Sequence, residues 1–335
     1  MKYKNYKKVF QSAPEKCPVC QKKLKTKQKF QLIQNYKSDD GEFTLYQCLN
    51  CAVQFWMPFK NPGPDWYEKY QVYDELFYSK PKIKRGYHKK ILKTFKNQAI
   101  KEKSFLDLGC GTGEFISALE KKGLQVWGVD FSQAFVDIAR ENFNLKNIFV
   151  CSFIEFFQKS ELPKFDYISF FEVTEHLDNP KDFIQNVRKI LKPGGMIILS
   201  VPCRERILVN LVKGEFPYHH LSRWNKESLV YFLKNNGFKI EKIYYVDSFR
   251  FIFETLMGIT SFGFLRKIRK QEKKQKPQKR EKTLIKKFLI KFLYFLIGIK
   301  KIILWFFAFI LFIFGKLFKK KNGDILCFAK LNKLE

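Results

Sequence analysis

Histidine is scarce in this chain of 335 residues, with only four, and acidic side chains are few, 32 against 63 Lys and Arg. No internal repeat recurs along the chain, which argues against a solenoid or propeller. The first residues, MKYKNYKKVFQSAPEKC, are basic but contain no apolar core, so a secretory signal is not expected. Eight cysteines do not form the pattern of a disulfide framework, because four stand singly in apolar or glycine-rich runs (Cys110, Cys151, Cys203, Cys327). What is present is apolar: 46% hydrophobic residues and 38 Phe are enough for a sizeable core, so a disordered chain is not expected.

The formal charge of +31 is concentrated at the ends. Residues 1–37 hold 11 Lys against one acid, Glu15, and residues 266–321 hold 19 Lys and Arg against Glu272 and Glu281. Between them, residues 38–265 are almost balanced, with 31 basic and 27 acidic side chains. Such ends suit phosphate, whether on nucleic acid or on anionic lipid.

The other four cysteines form two C-x-x-C hooks, Cys17/Cys20 and Cys48/Cys51, with 27 residues between them. Four thiolates at this spacing are the donor set of a tetrahedral, structural Zn2+, and the alternating run Glu42–Tyr46 between the hooks suggests a hairpin. A zinc-ribbon-like module is therefore expected over 1–60. A Pro- and Tyr-rich connector with a leading helix should fill 61–100.

From Ser104 onward, short apolar runs alternate with helical stretches, the pattern of βαβ units in a doubly wound parallel sheet. Strands are expected at 104–108, 125–129, 148–151, 167–171, 196–201, 239–246 and 324–330. Ser132, Asn179-Pro180 and Asn225 or Ser222 read as helix starts. The α/β domain would then cover 101–247 and 322–335, with a basic and apolar helical insertion at 248–321.

The run FLDLGCGTGEF places Gly109, Gly111 and Gly113 between a strand and a helix. A dinucleotide fingerprint calls for a third glycine at position 114 to seat a pyrophosphate, and this chain has Glu114 there. Asp107 suits an ammonium group, and Asp130, at the next strand's tip, suits the two hydroxyls of a ribose. A ribose joined to an amino acid without phosphate describes S-adenosylmethionine; a nicotinamide dinucleotide is the alternative.

The ordered series DLGCGTG, GVDFS, FDYISFFEVTEHL and LKPGGMIILSVP resembles class I S-adenosylmethionine-dependent methyltransferases over about residues 86–247. That resemblance implies a seven-stranded, mostly parallel Rossmann-like sheet. It also implies that Asp107, Leu108, Gly109, Cys110, Gly111 and Gly113 line the methionine part, that Asp130 holds the ribose, and that Phe131 with the Ser152-Phe153 loop frames adenine. The family usually has an acid where this chain has Ser152. Phe170 and Phe171 are candidates to wall the methyl group.

On the acceptor side, FFEVTEHL offers Glu172, Glu175 and His176 at a strand tip, and FPYHHLSRW offers Tyr218, His219 and His220. His176, His219, His220 and Tyr218 are the candidate catalytic groups, with His176 first as base or orienting group. A His/His metal site is not expected, because no nearby carboxylate shows ligand spacing. The cysteine hooks followed by YQCLNCAVQFWMPFKNPGPDWYEKY, and later PYHHLSRWNKESLVYFLKNNGF, resemble methyltransferases of polysaccharide and nucleotide-sugar pathways, implying a sugar or glycolipid acceptor. Ala52 departs from that pattern, which has glycine after the second hook.

The insertion reads as two apolar runs, 288–299 and 302–315, split by Lys300-Lys301. The longer is 14 residues, about 21 Å as helix against roughly 30 Å of hydrocarbon. In-plane or re-entrant helices at an anionic membrane surface are expected, with the body on the cytoplasmic face. RNA methylation and a non-catalytic binding scaffold are the competing readings; long aliphatic runs in the basic segment disfavour RNA.

Overall fold

The computed structural model describes residues 14–22, 30–63, 66, 86–95, 100–206, 213–247, 249–260, 284–317 and 323–332. Much of the connector expected over 61–100, and the Lys/Arg-rich stretch 266–283, lie outside these residues. Two compact units are formed, one of residues 1–204, 214–246 and 324–335, the other of 205–213 and 247–323.

The first unit opens with a hairpin, β1 (Phe30–Ser38) and β2 (Gly41–Cys48), followed by β3 (Gln54–Met57). Helix α1 (Gly86–Thr94) leads into the alternating part: β4 (Ser104–Leu108), α2 (Glu114–Glu120), β5 (Gln125–Asp130), α3 (Gln133–Phe143), β6 (Ile148–Val150), α4 (Phe153–Phe157), β7 (Phe165–Phe171), α5 (Pro180–Ile190) and β8 (Leu191–Pro202). A two-residue strand, β9 (Ser222–Arg223), precedes α6 (Lys226–Asn235) and β10 (Phe238–Asp247), and β11 (Gly323–Leu331) ends the unit.

Seven strands form one sheet in the order β10-β11-β8-β7-β4-β5-β6. Pairs β4–β5, β4–β7, β5–β6 and β7–β8 are parallel, and β11 runs antiparallel to β8 from Asp324↔Pro202 to Lys330↔Met196. This is the Rossmann-like methyltransferase fold. All five residues of β4 are buried, as a central parallel strand covered on both faces requires. Alternation along the strands divides the core: Leu106, Leu108, Ile168 and Phe170 pack with α5 and α6, while Phe105, Ile198 and Phe328 pack with α1, α2 and α3.

Helix starts obey the local chemistry. Ser132 Oγ accepts from the Phe135 amide, Asn179 caps α5 with Pro180 next, and Asn225, not Ser222, forms a capping box with Ser228. One boundary differs from the sequence expectation: β8 begins at Leu191, so KPGG lies within it, and its register with β7 shifts between Phe165 and Tyr167.

A smaller sheet has the order β1-β2-β3-β9. Its last strand comes from the loop after β8, paired through Gln54↔Arg223 and Phe55↔Ser222. The Trp56 amide donates to the Leu221 carbonyl (2.9 Å), and Asn50 Nδ2 donates to the Tyr231 hydroxyl (2.7 Å). The cysteine-bearing module is thereby joined to the seven-stranded body by backbone pairing.

The second unit contains α7 (Phe249–Thr260) and α8 (Leu284–Leu317). Here the two-run expectation is corrected: α8 is one unbroken helix of 34 residues, about 51 Å, continuing through Lys300-Lys301. Lysine propagates a helix well, so a charged pair alone does not end one. The stretch Gly298–Gly315 is long and apolar enough to cross a membrane, and 11% of it is buried.

Candidate active site and cysteine cluster

Four sulfurs come together at one end of the small sheet. Cys17 Sγ lies 3.8 Å from Cys51 Sγ and Cys20 Sγ 3.9 Å from Cys48 Sγ, all four residues being free thiols. A tetrahedron with metal–sulfur bonds of about 2.3 Å has edges near 3.8 Å, so the spacing fits zinc. Mutual hydrogen bonding divides the thiols: Cys17 is pushed up by its bond to Cys20, and Cys20 is drawn down. The hook closes through Ala52, whose amide donates to the Cys48 carbonyl (2.9 Å) at φ +60°. That left-handed backbone is where glycine would relieve strain.

At the carboxyl ends of β4 and β5, the glycine loop turns around Asp130. Its Oδ2 accepts from the Gly111 amide (2.9 Å) and its Oδ1 from the Ser132 amide (3.0 Å). A carboxylate has about four acceptor sites in all, so these backbone bonds leave capacity for a ligand hydroxyl. Burial raises the Asp130 carboxyl even against those backbone donors. Gly111 has φ +54° and open space where a side chain would be, whereas a Cβ on Gly113 would meet Ala139 Cβ at 2.8 Å and Leu145 Cδ1 at 2.9 Å. Gly111 therefore leaves room for a ligand, while Gly113 lets α2 approach α3.

Asp107, 2% exposed, accepts from Ser169 Oγ at 2.5 Å. Burial first, then the neighbouring Asp130, pushes its pKa up to about 8. Glu114 stands where a phosphate would need neutral backbone, fixed by a 2.6 Å bond from Thr112 Oγ1. Leu108 and Cys110 are buried beside these groups.

The residues expected to frame adenine divide. Phe131 is 38% exposed at the tip of β5, but Phe153 turns inward against Phe183, with ring centroids 5.3 Å apart. Ser152 caps α4: its Oγ accepts from the Glu155 amide, and its own amide donates to Glu155 Oε2 at 2.7 Å. An acid does occur near this tip, at Glu155 inside the helix. Phe171 is buried, stacked on Tyr87 at 5.3 Å and edge-on to His88 at 4.9 Å.

Among the candidate catalytic residues, His176 and His220 meet, with ring centroids 5.0 Å apart. Burial first, then His220, lowers the His176 pKa to about 3. His220 Nδ1 lies 3.6 Å from Glu215 Oε2, which Arg223 Nε also approaches at 3.5 Å. Glu215 was not legible as a partner, because only the folded loop brings it to His220. His219 lies against Trp66 at 4.9 Å, and its pKa is lowered by burial. Tyr218 packs in the aromatic cluster of the small sheet, 4.9 Å from Phe43. Glu175 is 1% exposed, and its buried oxygens make no hydrogen bond among the described residues. Contrary to the expectation that no carboxylate stands at ligand spacing from these histidines, ligand atoms of Glu175, His176 and His220 all lie within 4.8 Å of one another.

Residues 80–243 match the family model described as a methyltransferase domain. A ubiquinone biosynthesis O-methyltransferase of Coxiella burnetii (strain Dugway 5J108-111) is 33% identical over 129 residues, covering 37% of this chain and 55% of that protein. The chain thus spans about half the length of that relative. Another of the same name, from Rickettsia bellii (strain OSU 85-389), is 28% identical over 199 residues, covering 55% of this chain and 81% of that one. Among solved structures, a S-adenosylmethionine-dependent methyltransferase from Clostridium acetobutylicum overlaps with a TM-score of 0.44 at 16% identity, covering 80% of this chain and 100% of that one.

Proposed function

We propose that this chain transfers the methyl group of S-adenosylmethionine to a small or lipid-linked acceptor. One observation carries the reading: Asp130, held by the Gly111 and Ser132 amides, stands beside an open glycine bend whose next residues offer Asp107 to an ammonium group and Glu114 against phosphate. In that pocket Asp130 binds the ribose, Asp107 and Gly109 to Gly113 hold the amino-acid end, and Phe131 covers adenine. The cofactor supplies an electrophilic methyl; the chain's own task is to align the acceptor and exclude water.

His176 and His220 stand at the tip of β7, on the acceptor side. Burial and His220 hold the His176 pKa low, so His176 is neutral near pH 7 and serves to orient the acceptor. The cysteine cluster holds a structural Zn2+, which fixes the small sheet and, through β9, the loop bearing His219 and His220. The relatives' names favour an O-methyl acceptor, and the hooks' resemblance to polysaccharide-pathway enzymes favours a sugar; a hydroxyl is common to both.

Helix α8 associates with membrane. Ile302, Trp305, Phe306, Phe307, Ile310 and Phe314 are all 47–69% exposed and form one broad apolar face, while Ala308 on the opposite face is buried, an exposed area that water does not tolerate. Because β10 and β11 belong to one sheet, the segment between them starts and ends on the same side of a bilayer. Labelled methyl transfer into membrane, soluble glycan and RNA fractions tests the reading; label in membrane or glycan supports it, and label in RNA alone replaces it.

A further inference from the structure

The group that the methyl-transfer reading leaves unused is Glu175. A carboxyl group 1% exposed, with neither oxygen hydrogen-bonded, is unusual in a folded protein, because even its neutral form has a proton to donate. Acids surround it: Glu172, Glu215 and Asp324 all act on it electrostatically. Glu172 itself has a left-handed backbone, φ +53°, at the strand tip. Such a place favours a cation.

We propose that Glu175, His176 and His220 form a second metal site, separate from the four cysteines, for a divalent transition ion such as Zn2+ or Mn2+. Their donor atoms, one carboxylate oxygen and two imidazole nitrogens, lie within 4.8 Å of one another, close enough for a single ion to bind all three. Two imidazoles and one carboxylate select such an ion over Ca2+ or Mg2+ and leave coordination positions open. Both rings have the supports expected of ligands: the backbone of His219 hydrogen-bonds His176, and Glu215 stands behind Nδ1 of His220. The site belongs to the body itself, since the Leu221 amide bonds the Glu175 carbonyl and fixes the loop to the strand tip.

The ion's task rests on the methyl-transfer reading; its binding does not. A hydroxyl of the acceptor coordinated there loses its proton to water, its oxygen forms a bond to the methyl carbon, and the carbon–sulfur bond breaks to leave neutral S-adenosylhomocysteine.

Metal content of the full-length chain, exchanged into Co2+ or Zn2+ alone, tests the site. Two equivalents per chain are expected, falling to one in Glu175→Gln and in His220→Gln, and to one in Cys48→Ser. One equivalent in the unaltered chain, lost in Cys48→Ser and unchanged in the other two, would overturn the proposal. S-adenosylmethionine calorimetry on each variant reports that the body is folded, and His220, 15% exposed, gives a second substitution should Glu175→Gln disturb the core. Cofactor binding with a single metal defeats only the second site; two metals without cofactor binding defeat only the methyl-transfer reading.

Discussion

The amide of Leu221 donates to the carbonyl of Glu175 at 2.8 Å, and the carbonyl of Leu221 accepts from the amide of Trp56 at 2.9 Å. One residue thus links the tip of β7 to the cysteine-bearing sheet. On the proposed reading this implies a division of labour, in which the glycine loop with Asp130 binds the cofactor and the small sheet positions the acceptor loop.

Cys48→Ser separates the two tasks. Loss of the proposed structural ion should free β3 and with it the short β9 that precedes α6. Binding of S-adenosylmethionine, measured by calorimetry, is expected to persist, while methyl transfer falls by about a hundredfold, the scale of an ångström-level misplacement. Equal loss of both would show that the small sheet supports the whole body.

Substitution within the glycine loop should have different effects at two neighbouring positions. Gly113→Ala drives a Cβ into Ala139 and Leu145 at φ +79°, and is expected to cost about 1–3 kcal/mol of stability, read as a lower Tm. Gly111→Ala meets no protein atom, so beyond its backbone strain at φ +54° the damage appears in cofactor affinity.

Acid-base linkage gives a further test. Burial pushes Asp107 up to about 8, so below that pH the free protein carries it protonated. An ammonium group beside it favours the carboxylate, and binding then releases a proton. Calorimetry near about pH 6.5, in buffers of different ionisation heat, should find close to one proton released per ligand, and Asp107→Asn should abolish the release. Affinity accordingly rises with pH toward about 8.

Removal of α8, residues 284–317, should release the protein from native membranes without loss of cofactor binding. Full-length protein remaining soluble beside those membranes would contradict the proposed attachment.

Local chemistry made most of the body legible. The glycine bend, Asp130, the Ser132 and Asn179 caps and all seven strands of the large sheet follow from short patterns, because each is determined within a few residues. Long-range relationships were not legible in that way. Ser222-Arg223 carries too little pattern to announce β9, the pairing of Glu215 with His220 depends on how the loop folds, and Phe153 finds Phe183 from another element. In α8, the Lys300-Lys301 pair interrupts an apolar pattern without interrupting the backbone.

The account depends on Asp130 gripping a ribose that has no phosphate attached. Calorimetry of the purified chain and its Asp130→Ala variant with S-adenosylmethionine and with a nicotinamide dinucleotide tests this directly. Binding of S-adenosylmethionine alone, weakened in the variant by about 2 kcal/mol or roughly thirtyfold, is the predicted result. Heat from the dinucleotide and none from S-adenosylmethionine would contradict it.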